Sequence, residues 1–161
     1  MAHSTSTADC VTCELQQFVG DFFDELDRDG LNITKFYFED GEFAVGGRVF
    51  AGHDAIRKFY ADRLASVRAD PSGQIRTARH TFVNLRVSMG DDGQASMRFI
   101  NLTYTGQGPP PVKDLLGPSV ISDCLMVCQR NAAQRWQIRR FAGEAIFIGS
   151  DPLMNKLAVK S

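Results

Sequence analysis

The chain has 161 residues, enough for one domain with a sizeable core, and its 43% hydrophobic and 23% charged residues mark a soluble globular protein. Its 18 Lys+Arg against 19 Asp+Glu show no long block of one sign, which excludes the electrostatic footprint of nucleic-acid binding. No apolar run approaches the ~20 residues that span a bilayer, and Met1 to Cys10 lacks the basic and apolar stretches of a secretory signal, so no membrane partner and a cytoplasmic, reducing location are expected.

In chain order, residues 1–10 are predicted as a disordered tail. Leu15, Phe18, Val19, Phe22, Phe23 and Leu26 recur at helical spacing between Cys10 and Asp29, and Gly30 stands where a helix-ending glycine belongs. A short second helix is predicted over Ile33 to Phe38. The run Gly41 to Phe50, with Gly46-Gly47 between two extended stretches, predicts a hairpin. Ile56, Phe59, Tyr60, Leu64 and Val67 form the apolar stripe of a third helix from about Asp54 to Arg68, stopped by Asp70-Pro71-Ser72-Gly73. Then come strands over Gln74–Met89, Ala95–Thr105, Val120–Arg130 and Arg135–Ile148. A loop containing Pro109-Pro110-Pro111 separates the second from the third. Helices first and an antiparallel meander afterwards give an α+β domain over 11–148, with 149–161 as a C-terminal extension.

Three stretches carry a family resemblance. They are Phe23-Asp24-Glu25-Leu26-Asp27, the hairpin and helix from Gly46 to Phe59, and Arg79-His80-Thr81-Phe82-Val83-Asn84 followed by Trp136-Gln137-Ile138-Arg139-Arg140. Their order resembles the SnoaL-like branch of the nuclear transport factor 2-like superfamily. Relatives there include scytalone dehydratase, bile-acid dehydratase and the β subunits of ring-hydroxylating dioxygenases. The resemblance implies a cone-shaped fold, with N-terminal helices packed on a strongly curved antiparallel sheet that encloses a pocket. It also implies a homodimer formed through the sheet.

The dehydratases carry an Asp near the end of the first helix and a His on the strand occupied here by His80. Asp27 and His80 match these positions and are the candidate acid–base pair. A carboxylate orients an imidazole, which then moves a proton beside a carbonyl. Phe22 stands where those enzymes have a Tyr, so one hydroxyl is missing. His80, Phe82 and Asn84 share one strand face by alternation and are expected to line the pocket. Asn84 and Tyr104 are candidates to bind a ligand oxygen, although a strand amide and a sheet-surface aromatic are the plainer readings. Asp123 lies among Ile121, Leu125 and Val127 and is either a pocket acid or the partner of an Arg. Arg140 is in phase with Trp136 and Ile138; bile-acid dehydratase has an Arg in this region that helps its site, so the resemblance makes Arg140 an anion-binding candidate, with a salt bridge as the plainer reading. Glu144 has no evident role.

A zinc site is not expected. Cys10-x-x-Cys13 alone is a weak signal, and Cys124 and Cys128, four apart on a strand, sit ~13 Å apart at ~3.3 Å per residue. His3 and His53 have no companions for a metal site, and His53 reads as a surface residue. No nucleophile elbow or phosphate-binding glycine loop appears, so no cofactor is implied. Three functions stay open: a cofactor-independent lyase or isomerase acting on a hydrophobic carbonyl compound, a non-catalytic binder of a hydrophobic small molecule, and a structural partner like the dioxygenase β subunits.

Overall fold

The computed structural model describes residues 7–68, 76–113 and 117–151. The predicted stop over Asp70–Gly73, most of the N-terminal tail and all but the first residues of the C-terminal extension lie outside them.

The first helix, α1 (Thr7–Arg28), begins three residues before the position expected from its apolar stripe. Leu15, Val19 and Phe22 on that stripe are fully buried, each worth ~2 kcal/mol of transfer free energy. Gly30 ends the helix in a left-handed conformation (φ 70°) and donates its N–H to the Glu25 carbonyl at 3.0 Å. The second helix is a single 3₁₀ turn, Ile33–Phe36, shorter than expected, because the chain at once enters strand β1 (Tyr37–Val45).

Gly46 and Gly47 both have positive φ (56° and 74°), the geometry of the two-residue turn that joins β1 to β2 (Arg48–Ala51). Helix α2 (Gly52–Arg68) follows. Strands β3 (Arg76–Met89), β4 (Ala95–Gln107), β5 (Val120–Arg130) and β6 (Trp136–Ile148) then form the meander. His53, expected at the surface, is half-buried, and its Nε2 lies 3.1 Å from the Tyr37 carbonyl, tying the start of α2 to β1.

The six strands form one sheet in the order β2-β1-β6-β5-β4-β3. It is mixed, because β6 returns from the meander to lie parallel to β1. The apolar pattern of a strand shows which face is buried but not the direction of its neighbour, so this pairing was invisible in the sequence. The helices cover one face. Their stripes close a core with Tyr37, Met97, Met126 and Ile138, all fully buried.

Three extra residues interrupt the antiparallel ladders of the meander. One falls on β3 between Val83 and Arg86, one on β6 at Arg139-Arg140 and one on β6 at Ala145-Ile146. Each bulge bends its strand and reverses which side chains face inward. On β3 the inward set passes from His80 and Phe82 to Leu85 and Val87, with Asn84 absorbing the change at a positive φ of 57°. On β6 it passes from Ile138 to Phe141.

Candidate functional site

The inner face of the sheet and the two helices enclose a cavity of about 120 Å³. At ~10–15 Å³ per water-sized group, it holds on the order of ten non-hydrogen atoms. Phe23 and Leu26 of α1, Phe59 and Tyr60 of α2, and Phe43 and Phe141 of the sheet make most of its wall. Five neighbouring strands, β1, β6, β5, β4 and β3, reach this one space. Among these rings stand a few polar groups: Arg63, His80, Asn101, Thr103 and Ser122.

His80 is placed by its strand and by α1 together. Because β3 is an edge strand, a backbone N–H there has no partner strand on its outer side. Asp27, in the last turn of α1, supplies that partner. Both of its carboxylate oxygens accept from His80 N at 3.1 Å, and Oδ1 lies 2.6 Å from Nδ1. The imidazole stacks on Phe23, with ring centres 5.4 Å apart and planes 6° from parallel, which fixes its rotation. The His80 and Asp27 side chains are only 6% and 11% exposed.

A carboxylate only accepts hydrogen bonds, so Nδ1 carries the proton and Nε2 is the basic nitrogen. Nε2 makes no hydrogen bond among the described residues. Burial pushes the His80 pKa below its ordinary 6.5, with the nearby Arg63 charge acting in the same sense; the Asp27 hydrogen bond and charge oppose this without cancelling it. The ring is therefore neutral at pH 7, as a general base requires.

The other expected residues are not brought to the cavity wall. Phe22 is fully buried one layer deeper, edge-on to Phe36, Tyr37 and Phe141. Phe82 is half-buried against Phe23 and Phe99 and borders an outer groove that it shares with Asp27. Asn84 is exposed, since the bulge at that residue takes it out of phase with His80. Arg140 is exposed for the same reason on β6. Asp123 is exposed and Tyr104 half-exposed on the outer face, each beside an inward neighbour, Ser122 or Thr103, that does line the cavity. Ile121, Leu125 and Val127, the apolar set around Asp123, belong to the outer face, so of its two expected roles the structure does not support that of a pocket acid.

Sequence reading missed Arg63, Tyr60, Asn101, Thr103 and Ser122. The signal was present for some of them. Arg63 falls at helical spacing from Ile56, Phe59 and Tyr60, on the apolar stripe itself. Asn101 and Thr103 continue the inward phase of Ala95, Met97 and Phe99 on β4. Cys124 also lines the cavity, with its thiol pushed up to about 12 by burial, and so stays protonated and unreactive. No group of three or more metal-ligating side chains occurs among the described residues.

No protein-family model matches the sequence, and no curated protein matches it. Solved structures do. ActVI-ORFA from Streptomyces coelicolor superposes with a TM-score of 0.73 at 20% identity, over 88% of this chain and 99% of that one. A protein from Catenulispora acidiphila, in complex with S-DNPA, gives 0.71 at 20% identity, over 85% and 94%. A Novosphingobium aromaticivorans protein named for scytalone dehydratase gives 0.67 at 14% identity, over 88% and 87%. No helix among the described residues is long and apolar enough to cross a membrane. The chain thus has the α+β fold, helices packed on a sheet, that its resemblance to the SnoaL-like branch implies.

Proposed function

We propose that the protein is a cofactor-independent lyase or isomerase, dehydratase- or cyclase-like, acting on a compact hydrophobic carbonyl compound held in the cavity. The observation that carries this reading is a single carboxylate holding both the backbone and Nδ1 of His80, while the same imidazole lines an aromatic cavity. In the reaction, Nε2 takes a proton from the carbon beside the substrate carbonyl, and the C–H electrons pass into an enolate. The imidazolium then returns that proton to a departing hydroxyl, which leaves as water, or to another carbon. Asp27 is the positioning residue and stabilises the imidazolium. Such a base contributes roughly 10²–10⁴-fold. The hydroxyl absent at Phe22 has substitutes in the wall, where Tyr60, Thr103 and Ser122 supply three. Burial raises the Tyr60 pKa further, so its phenol stays a donor.

The test is a thermal-shift screen of one- and two-ring ketones and hydroxy-ketones, followed by turnover of the hits. His80→Gln is expected to lose at least ~10²-fold in turnover with its melting curve nearly unchanged. Wild-type turnover by that variant would sink the base assignment. A hit that binds tightly and is never converted would make the protein a binder.

For partners, the reading favours a homodimer formed through the outer sheet face in a reducing cytoplasm. That face carries half-buried Ile100, Leu102, Ile121 and Leu125, with Val83 and Phe147 44% and 66% exposed. Exposed Arg86 and Arg98 lie in the row next to exposed Asp123 and Glu144, an arrangement that a two-fold partner can answer charge for charge. Light scattering is expected to give twice 17.8 kDa, and a monomer mass refutes the pairing.

A further inference from the structure

Among the described residues Arg63 is the one permanent cation in the cavity wall, and the base mechanism does not use it. It reaches the cavity because it sits one helical turn after Phe59 and Tyr60, on the stripe that packs against the sheet. Among the described residues it makes no hydrogen bond and no ion pair. Asp27 is close enough to favour its charge, but that carboxylate is already committed to two N–H groups of His80. The neighbouring cation Arg76 is answered by Asp151. The remaining polar wall residues, Asn101, Thr103 and Ser122, are uncharged, and Asn101 Oδ1 is itself buried without a partner.

A half-buried guanidinium with unused donors in a mostly apolar wall is poorly solvated, and burial pushes its pKa down. An incoming anionic oxygen removes the cost, since a guanidinium fork matches a carboxylate in shape and charge.

We infer that Arg63 is a ligand-recognition residue and that the cavity takes an apolar acid, a body of one or two rings carrying one carboxylate or a comparably acidic hydroxyl. The size follows from a cavity of about 120 Å³, and the aromatic wall selects the rings. This inference rests on the cavity being a ligand site and not on His80 acting as a base.

The experiment is calorimetric titration of the full chain at pH 7.5 with 2-naphthoate and its neutral counterpart 2-naphthamide. A charge-assisted hydrogen bond of ~1.5–3 kcal/mol corresponds to a preference of about 10- to 100-fold for the carboxylate. Arg63→Gln is expected to reduce that preference to within about twofold, while Arg63→Lys, which keeps the charge, retains part of it. The Lys variant also guards against a folding defect, because its melting curve and its residual preference are read together. Equal binding of acid and amide by the wild type, no binding of 2-naphthoate, or an undiminished preference in Arg63→Gln would overturn the inference. Turnover by His80→Gln reports on the base alone, so the two readings fail separately.

Discussion

Glu25 and Asp27 stand two residues apart at the end of α1, and they have opposite jobs. The Glu25 side chain is 4% exposed and saturated by its own neighbourhood: Oε1 accepts from Asn32 N at 3.0 Å, and Oε2 from Lys35 Nζ at 3.1 Å. Arg28 approaches the same oxygen at 3.5 Å. All three partners lie within ten residues, so Glu25 knots the helix end to the 3₁₀ turn. Asp27 instead reaches a partner 53 positions away and sets the tautomer of a cavity imidazole. A carboxylate with local partners builds scaffold. Asp27, whose lone pairs go to a distant cavity ring, is in the proposed reaction the positioning residue.

Asp27→Asn should separate the two carboxylates most. The amide keeps an acceptor for His80 N but turns an N–H₂ toward Nδ1, which drives the ring proton onto Nε2 and removes the base. Turnover is expected to fall by roughly 10³–10⁴, the scale of losing a tautomer-setting Asp, with the fold retained. Steady-state kinetics beside a circular-dichroism melt checks both halves; a variant that merely unfolds makes Asp27 scaffold like Glu25.

Glu25→Ala should give the reverse pattern. It strands the Asn32 N–H and releases Lys35, for a loss of ~1–3 kcal/mol, read as a lower urea midpoint. The kcat of the folded protein is expected to stay within about twofold, because no cavity group touches Glu25.

Acid separates the two sites with the smallest effect. The folded His80 pKa is depressed below 6.5, so its contribution to stability is complete above 6.5 and is lost as pH falls from there through the folded value. Burial raises the Glu25 carboxyl, but the Lys35 and Asn32 hydrogen bonds and the Lys35 charge outweigh it and leave the pKa below 4.5. That contribution is present above 4.5 and is lost as pH falls through the lower, folded value. Urea midpoints between pH 8 and pH 3 should therefore drop in two windows. His80→Gln should erase the upper drop and Glu25→Gln the lower; a single drop that neither variant alters would refute the assignment.

The sequence was most legible where structure is local. Apolar spacing located α1 and α2, Gly30 and Gly46-Gly47 located a helix end and a turn, and the meander followed from its turn residues. Asp27 and His80 were legible as a pair only through the family resemblance. Asn84 and Arg140 were misplaced because alternation assumes an unbroken strand, and a single inserted residue inverts every face beyond it. The pocket-acid reading of Asp123 took an apolar strand face for the interior, whereas the outer face here is apolar as well.

The class of fold, the order of its elements and most of their ends are written in the residues, since these follow from periodicity and from glycines that backbone geometry demands. Tertiary structure alone decided which strand lies parallel to which, where the bulges turn the faces, and that Arg63, Asn101 and His80 meet around one cavity. The physical reason is range. Periodicity records whether a side chain is buried, and burial does not record what it is buried against.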